Sequence, residues 1–204
     1  MKIANLYAGI GGNRKLWGDK HEITAVEIVP EIAQIYKDLY PNDNVIIDNA
    51  HEFLRKNFKE FDFIWASPPC PTHSRLQFMQ RASIDRKYPD MTLYQEIILL
   101  KTFFKGKWVI ENVKPYYSPL ISPTFTMDRH YFWSSDFIMT AQFNSDKSYT
   151  DIRNDSRKLE EELGFDLSKY RGTTEIRKVL RNCVRPEVGL YIFEHITGGS
   201  SVSI

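Results

Sequence analysis

The hydrophobic positions of this chain fall into short runs separated by stretches of helical spacing. Apolar runs occur at residues 2–7, 22–26, 45–47, 61–66, 108–111 and 130–133. Several are apolar on both faces, the pattern of strands covered by helices above and below. Between them, residues 30–39, 50–58 and 93–104 read as helices, and Pro30 suits a first helical turn, where its missing N–H is not needed. Strand, helix, strand in repetition predicts an α/β fold with a Rossmann-like, doubly wound, mostly parallel sheet.

Past residue 143 the pattern changes. Residues 144–172 are polar, carry both charge signs and show apolar periodicity only around 156–163. A helix is expected at 174–181 and a closing one at 186–196, and the glycine- and serine-rich end predicts a frayed tail. The expected division is a core over 1–143, an insert over 144–181, a C-terminal helix returning to the core over 182–196, and a flexible tail over 197–204.

Composition narrows the class without deciding it. At 204 residues, with 42% hydrophobic and 26% charged, one soluble globular domain is the default. No apolar run approaches the ~20 residues that cross a bilayer, so no membrane partner is expected. The N-terminus reads as a first strand, not as a signal segment. Two cysteines, Cys70 and Cys183, fit a reducing cytoplasm, here that of a bacterial or phage-infected cell. A net charge of +1 says little about partners: duplex-gripping proteins are usually more basic, so a nucleic-acid contact would have to be clustered or small.

The first chemical signal is the segment Asn5-Leu6-Tyr7-Ala8-Gly9-Ile10-Gly11-Gly12-Asn13, between the first strand and an expected short helix. Glycines there permit a tight turn and a close approach of a ligand to the main chain. They also serve as plain turn residues, but Glu27 and Asp48 end the next two strands. A carboxylate at the second strand end suits a ribose hydroxyl pair, and one at the third suits an adenine amino group. The spacing departs from Gly-x-Gly-x-x-Gly and no Gly-Lys-Ser/Thr follows. A phosphate-free nucleoside such as S-adenosylmethionine therefore fits better than a dinucleotide or triphosphate.

The second signal is Ser67-Pro68-Pro69-Cys70-Pro71, which ends a buried strand abruptly. Consecutive prolines stiffen the chain, and they place Cys70 at the carboxyl end of a central strand, where open α/β sheets bind ligands. A stiff, presented thiol is a candidate nucleophile; the alternative, a small core residue, sits poorly among prolines. The polar stretch that follows carries His73, Ser74, Arg75, Arg81, Arg86 and Lys87. It reads either as a solvated loop or as a basic loop closing over a nucleic-acid backbone.

In order along the chain, these segments resemble the DNA cytosine-C5 methyltransferases and their relatives that act on transfer RNA. Asn5-Leu6-Tyr7-Ala8-Gly9-Ile10-Gly11-Gly12 resembles the family's Asp-Leu-Phe-x-Gly-x-Gly-Gly, and Pro68-Pro69-Cys70 its nucleophile motif. Glu111-Asn112-Val113 matches its Glu-Asn-Val, Arg129-His130-Tyr131 the second half of its Arg-x-Arg-x-Phe/Tyr, and Asn182-Cys183-Val184-Arg185-Pro186 its C-terminal Asn segment. The resemblance implies the class I S-adenosylmethionine-dependent methyltransferase fold. It also implies a catalytic set of Cys70, Glu111 and Arg129, with Cys70 adding to cytosine carbon 6, Glu111 acting at N3 and the exocyclic amine, and Arg129 at the O2 side. Around S-adenosylmethionine it places Tyr7, Ala8, Gly9, Gly11, Gly12, Glu27, Ile28, Asp48, Asn49, Pro68, Asn182 and Val184. No metal is implied, and Cys183 reads as structural. The base must be flipped from a duplex or taken from a single strand, so DNA of either kind is the expected partner.

The chain also departs from the family pattern. Pro71, Thr72, His73 and Ser74 follow the nucleophile where the family prefers Gln and then Ser, so His73, Ser74, Arg75 and Arg81 are candidate nucleic-acid contacts only by position. Met127 replaces the first arginine of the Arg-x-Arg pair. Only residues 134–181 stand where the family carries a large recognition domain, so short or relaxed sequence specificity, or a protein partner for targeting, is expected. Transfer RNA as substrate and a non-catalytic nucleic-acid-binding module remain as alternatives. A generic dehydrogenase would explain the glycines but nothing beyond residue 66. A role in restriction protection or phage self-marking would suit so compact a chain.

Overall fold

The computed structural model describes residues 1–74, 88–127, 129–139, 141 and 155–198. Seven strands form one sheet: β1 (Lys2–Leu6), β2 (Glu22–Glu27), β3 (Asn44–Ile47), β4 (Phe63–Ala66), β5 (Lys107–Val113), β6 (Phe125–Met127) and β7 (His130–Ser134). Their order across the sheet is β3-β2-β1-β4-β5-β7-β6. The first five run parallel, and β7 pairs antiparallel with both β5 and β6. Strand order reverses beside β1, and the carboxyl ends of β1 and β4 flank the crevice where such sheets take ligands.

The helices among the described residues are α1 (Pro30–Leu39), α2 (Ala50–Asn57), α3 (Thr92–Phe103), α4 (Ser156–Leu163), α5 (Ile176–Arg181) and α6 (Pro186–Thr197). Proline in the first turn starts α1 and α6, and the Asn49 side chain caps α2 by accepting from the His51 and Glu52 amides. None of these helices is long and apolar enough to cross a membrane.

Side chains alternate cleanly between the two faces, as the two-residue period of a strand requires. Ile3, Phe63, Trp65, Val109 and Phe132 face one way and pack under Val188, Ile192, Phe193 and Ile196 of α6. Ala4, Leu6, Ile64, Ala66 and Ile110 face the other, against Leu54 of α2 and Leu93, Ile97 and Leu100 of α3. Each large side chain withdrawn from water in this way contributes roughly 1.5–3 kcal/mol before entropy is counted.

Three features differ from the sequence reading. β6 was not foreseen, because three residues are too few to show a period. The short helix expected after the glycines is instead a chain of turns, with amides of Gly11, Arg14 and Trp17 donating to carbonyls three residues back. The described part of the insert, read as mostly polar, contributes apolar packing: Leu159, Leu163, Phe165, Leu167, Ile176, Val179 and Leu180 form one cluster with Ile10 and Ile35. Phe165 and Leu167 sit in irregular chain, so no periodicity announced their burial. Arg75, Arg81, residues 144–154 of the insert and 199–204 of the tail lie outside the described residues.

Candidate active site

The turn after β1 is shaped by residues in the left-handed region. Tyr7 has φ 56°, Gly9 54° and Gly11 76°. For a tyrosine that conformation costs of order 1 kcal/mol or more and needs support. The Tyr7 hydroxyl supplies it by donating to Glu96 of α3, which also meets His51 Nδ1 at 2.9 Å. Tyr7 is thus tethered across the sheet's end, a constraint not legible in the sequence.

Beneath the turn lies a buried polar network. Arg14, 2% exposed, forms a two-pronged contact with Asp43 at 2.8 and 3.0 Å, and its guanidinium lies 4.6 Å from the Tyr40 ring centroid. Tyr40 donates to the Gly11 carbonyl and Tyr36 to Asp43, both at 2.9 Å. Behind the turn, a Cβ on Gly12 would meet the Val184 carbonyl at 2.6 Å and Cys183 Cβ at 2.8 Å. Glycine here lets the C-terminal segment pack against the turn.

The front of the turn is open. Nothing lies within 4 Å of where a Gly9 Cβ would stand. Each Glu27 carboxylate oxygen accepts one amide, from Gly9 at 3.0 Å and Val29 at 2.9 Å, and a carboxylate oxygen has a second lone pair to offer. Asp48 is exposed at the end of β3, and beside it Ile47 and Ile28 are 58% and 61% exposed. Carboxylates at two strand ends repel phosphate and suit hydroxyl and amino donors, while the two isoleucines offer apolar surface to a flat ring. This donor set fits a phosphate-free nucleoside such as S-adenosylmethionine.

The nucleophile loop is pinned at both ends. Pro68 is buried, and its carbonyl accepts from Asn112 Nδ2 at 2.9 Å. The Cys70 carbonyl accepts the His73 and Ser74 amides at 3.0 Å, His73 Nδ1 lies 2.5 Å from the Tyr117 hydroxyl, and Ser74 bridges to Pro115. These ties bind the loop after β4 to the segment after β5. His73 is 1% exposed, and its side chain is engaged in anchoring the loop. Ser74 is half-buried.

Glu111 lies in β5, beside β4. Burial pushes its carboxyl up to about 7, against the pull of a hydrogen bond from Ser67 and the positive charge of Arg129. His130 Nε2 lies 3.3 Å from Glu111 Oε1; burial, with Arg129 and Lys114 nearby, pushes this imidazole down to about 3, so it is neutral. The Cys70 thiol is raised, first by burial and then by Glu111, with Arg129 acting the other way. Arg129 is held by donating to the Arg181 carbonyl at 2.9 Å. Cys70, Glu111 and Arg129 therefore feel one another electrostatically, although they come from three separate segments.

Other expected site residues are distributed less simply. Ala8 is buried, its amide donating to the Val26 carbonyl at 3.0 Å. The Asn49 side-chain oxygen is occupied in capping α2. Val184 is buried in the core, so its backbone rather than its side chain faces the turn, and Asn182 is exposed at the end of α5. Sequence reasoning missed Ser67, Asn112, His130, Tyr117 and Glu96 as supports. Asn112, Ser67 and His130 stood within quoted motifs; Tyr117 and Glu96 carried no signal.

A family model described as C-5 cytosine-specific DNA methylase matches residues 1–125. No curated protein matches the sequence. Among solved structures, the Entamoeba histolytica methyltransferase EhMeth aligns over 97% of this chain and 98% of its own, with 12% identity and a TM-score of 0.57, a likeness of fold. A DNMT2 variant of Spodoptera frugiperda aligns at 22% identity and TM-score 0.44, over 72% of this chain and 53% of its own. An Agrobacterium tumefaciens SAM-dependent methyltransferase aligns at 14% and 0.40, over 58% and 40%. This chain thus spans about half or less of the length of those last two.

Proposed function

The chain belongs to the C-5 cytosine-specific DNA methylases, and from that premise we propose that it methylates carbon 5 of cytosine in DNA through a covalent adduct on Cys70. The observation that supports this reading is the electrostatic influence that Cys70 after β4, Glu111 in β5 and Arg129 just before β7 exert on one another, in a sheet where β4 neighbours β1. Glu27, Asp48, Ile28 and the open face of Gly9 would hold S-adenosylmethionine, which supplies an electrophilic methyl group.

Carbon 5 of cytosine is a poor nucleophile because its electrons belong to the ring. Attack of Cys70 Sγ on carbon 6 forms an S–C6 bond, breaks the conjugation and leaves carbon 5 enamine-like. Negative charge then develops at N3. A carboxyl with a pKa of about 7 carries a proton in half the molecules at neutral pH, so Glu111 can donate to that nitrogen. Arg129 holds the O2 edge. Because burial and Glu111 favour the thiol in the free protein, the Cys70 proton must pass to water as the sulfur attacks. After methylation, water takes the carbon 5 proton, N3 returns its proton to Glu111, and the S–C6 bond breaks with its electron pair leaving on Sγ, which restores the ring.

Residues 155–181 fold into the core rather than projecting as a reader. This supports short or relaxed sequence specificity, or targeting by a partner protein.

The test is transfer of tritium from S-adenosylmethionine to duplex DNA, single-stranded DNA and transfer RNA, with Cys70→Ala as control. Label in DNA that vanishes in the control is expected, and bisulfite sequencing then locates the cytosines. Label in transfer RNA alone would keep the chemistry and overturn the substrate. No label on any polymer despite donor binding would sink the catalytic reading for the isolated chain.

A further inference from the structure

Ser67 precedes the proline pair and has no assigned role. In the parallel pairing of β4 with β5, Trp65 lies opposite Val109 and Ala66 opposite Ile110. Carrying that register one step further sets Ser67 opposite Glu111. Trp65 and Ser67, two residues apart, share a face of the strand, and the indole Nε1 donates to Ser67 Oγ at 3.0 Å.

This contact determines where the serine proton goes. An indole N–H is a donor only, so the hydroxyl oxygen must accept there. The Trp65 ring cannot turn away: it is fully buried, 5.8 Å from Trp17 and 6.4 Å from Phe132 between ring centroids. Carried one step on, the register makes the Glu111 carboxyl group the neighbour on the β5 side, and the Ser67 hydroxyl favours its ionised form. With its oxygen engaged by the indole, the hydroxyl has its single proton left to offer to that group.

We propose that Ser67, its hydroxyl oriented by the Trp65 indole, is a positioning residue that fixes the Glu111 carboxyl group and sets when it carries a proton. The other groups facing that carboxyl are Arg129, the neutral imidazole of His130 on β7, and Cys70 on the adjoining loop. Arg129 favours the ionised form by charge, whereas Ser67 adds direction: it occupies the side toward β4 and leaves the remaining lone pairs for an incoming base.

The inference rests on Glu111 acting at the base, but its test does not require turnover. The carboxyl C=O stretch of Glu111, assigned by its loss in Glu111→Gln, is titrated by infrared difference spectroscopy in the free protein. Removing a donor to the ionised form raises a carboxyl pKa. Ser67→Ala is expected to move the midpoint up by about one pH unit, and Ser67→Thr to return it to the wild-type value. Should Ser67→Ala fail to fold, Trp65→Phe decides: the released hydroxyl rotates, and a smaller rise is expected. An unchanged midpoint in a folded Ser67→Ala or Trp65→Phe protein would overturn the proposal. In DNA methylation, Ser67→Ala should lower kcat with an unchanged KM for the methyl donor and move the pH profile in parallel with the infrared midpoint. The expected infrared shifts without methylation on any polymer would keep the positioning role and remove the functional reading alone.

Discussion

Asn112 Nδ2 donates to the carbonyl oxygen of Pro68 across 2.9 Å, joining the strand that carries Glu111 to the loop that carries Cys70. Its Oδ1 meanwhile accepts the Val113 amide, also at 2.9 Å. One buried amide therefore sets the spacing between the two groups that must act on opposite sides of one pyrimidine.

Asn112→Ala leaves the Pro68 carbonyl without that partner, and stability should fall by about 1–3 kcal/mol. Because the reacting groups lose their relative placement, kcat should fall about 100-fold while donor affinity changes little. Chemical denaturation and single-turnover methylation would check the two effects separately; an equal loss in donor binding would mean that the tie supports the pocket instead.

Cys70 should alkylate slowly for a half-exposed thiol, since both burial and Glu111 raise its pKa. Glu111→Gln removes the negative charge and should accelerate iodoacetamide modification several-fold at pH 8, where Glu111 is ionised. Cys183, buried and pushed up to about 12, should stay unmodified until the chain unfolds. Mass spectrometry of the two cysteine peptides reads both outcomes.

The Glu111 carboxyl also leaves a mark on stability. Its folded pKa of about 7 stands above the ordinary glutamate value of 4.5. Between those values the folded chain holds a proton that the unfolded chain has released, so this group's contribution declines as pH rises through the window. Relative to wild type, Glu111→Gln should be near neutral at pH 4.5 and stabilising by up to about 3 kcal/mol above pH 7. His130, pushed down to about 3, acts in the opposite sense on acidification. Unfolding curves at pH 5 and pH 8 test this, and an equal shift at both would contradict it.

Arg14→Leu would strand the carboxylate of Asp43, whose side chain is 2% exposed. Breaking one side of a buried ion pair typically costs about 3–5 kcal/mol, and the midpoint of thermal unfolding should fall accordingly. Arg14 also braces Tyr40, which holds the Gly11 carbonyl, so donor binding measured by calorimetry should weaken at temperatures where the variant remains folded.

Asp48→Ala should behave in the reverse manner. The residue is exposed, and its side chain accepts its neighbour's amide, from Asn49 at 2.7 Å, so stability should change by less than about 0.5 kcal/mol. Affinity for S-adenosylmethionine should fall about tenfold with the loss of one hydrogen bond to a charged group. Unaltered affinity would place the adenine elsewhere.

Much of the fold was legible because its signals are local. The strand ends bearing Glu27 and Asp48, the proline that starts α1, and the stiff Pro68-Pro69-Cys70 each act within a few residues. What escaped notice acts at a distance or without a period. Phe165 and Leu167 are buried in irregular chain, and Tyr7 is held through Glu96, 89 residues away. His73 looked like a surface residue because polar neighbours surround it in sequence; its contact with Tyr117 comes from the segment after β5.

By itself the sequence determined the alternation of strands and helices, the turn that glycine permits after β1, and the chemical identity of the thiol, carboxyl and guanidinium groups. Those follow from backbone sterics, from hydrophobic period and from side-chain type, which a chain carries before it folds. Only the tertiary structure decided which protonation states those groups adopt and which neighbours hold them. Desolvation of Glu111 and Cys70, the neutrality of His130 and the indole contact at the Ser67 hydroxyl depend on what is packed around each group. A pKa or a hydroxyl orientation is a property of an environment, and the environment exists only once β4, β5 and β7 have come together.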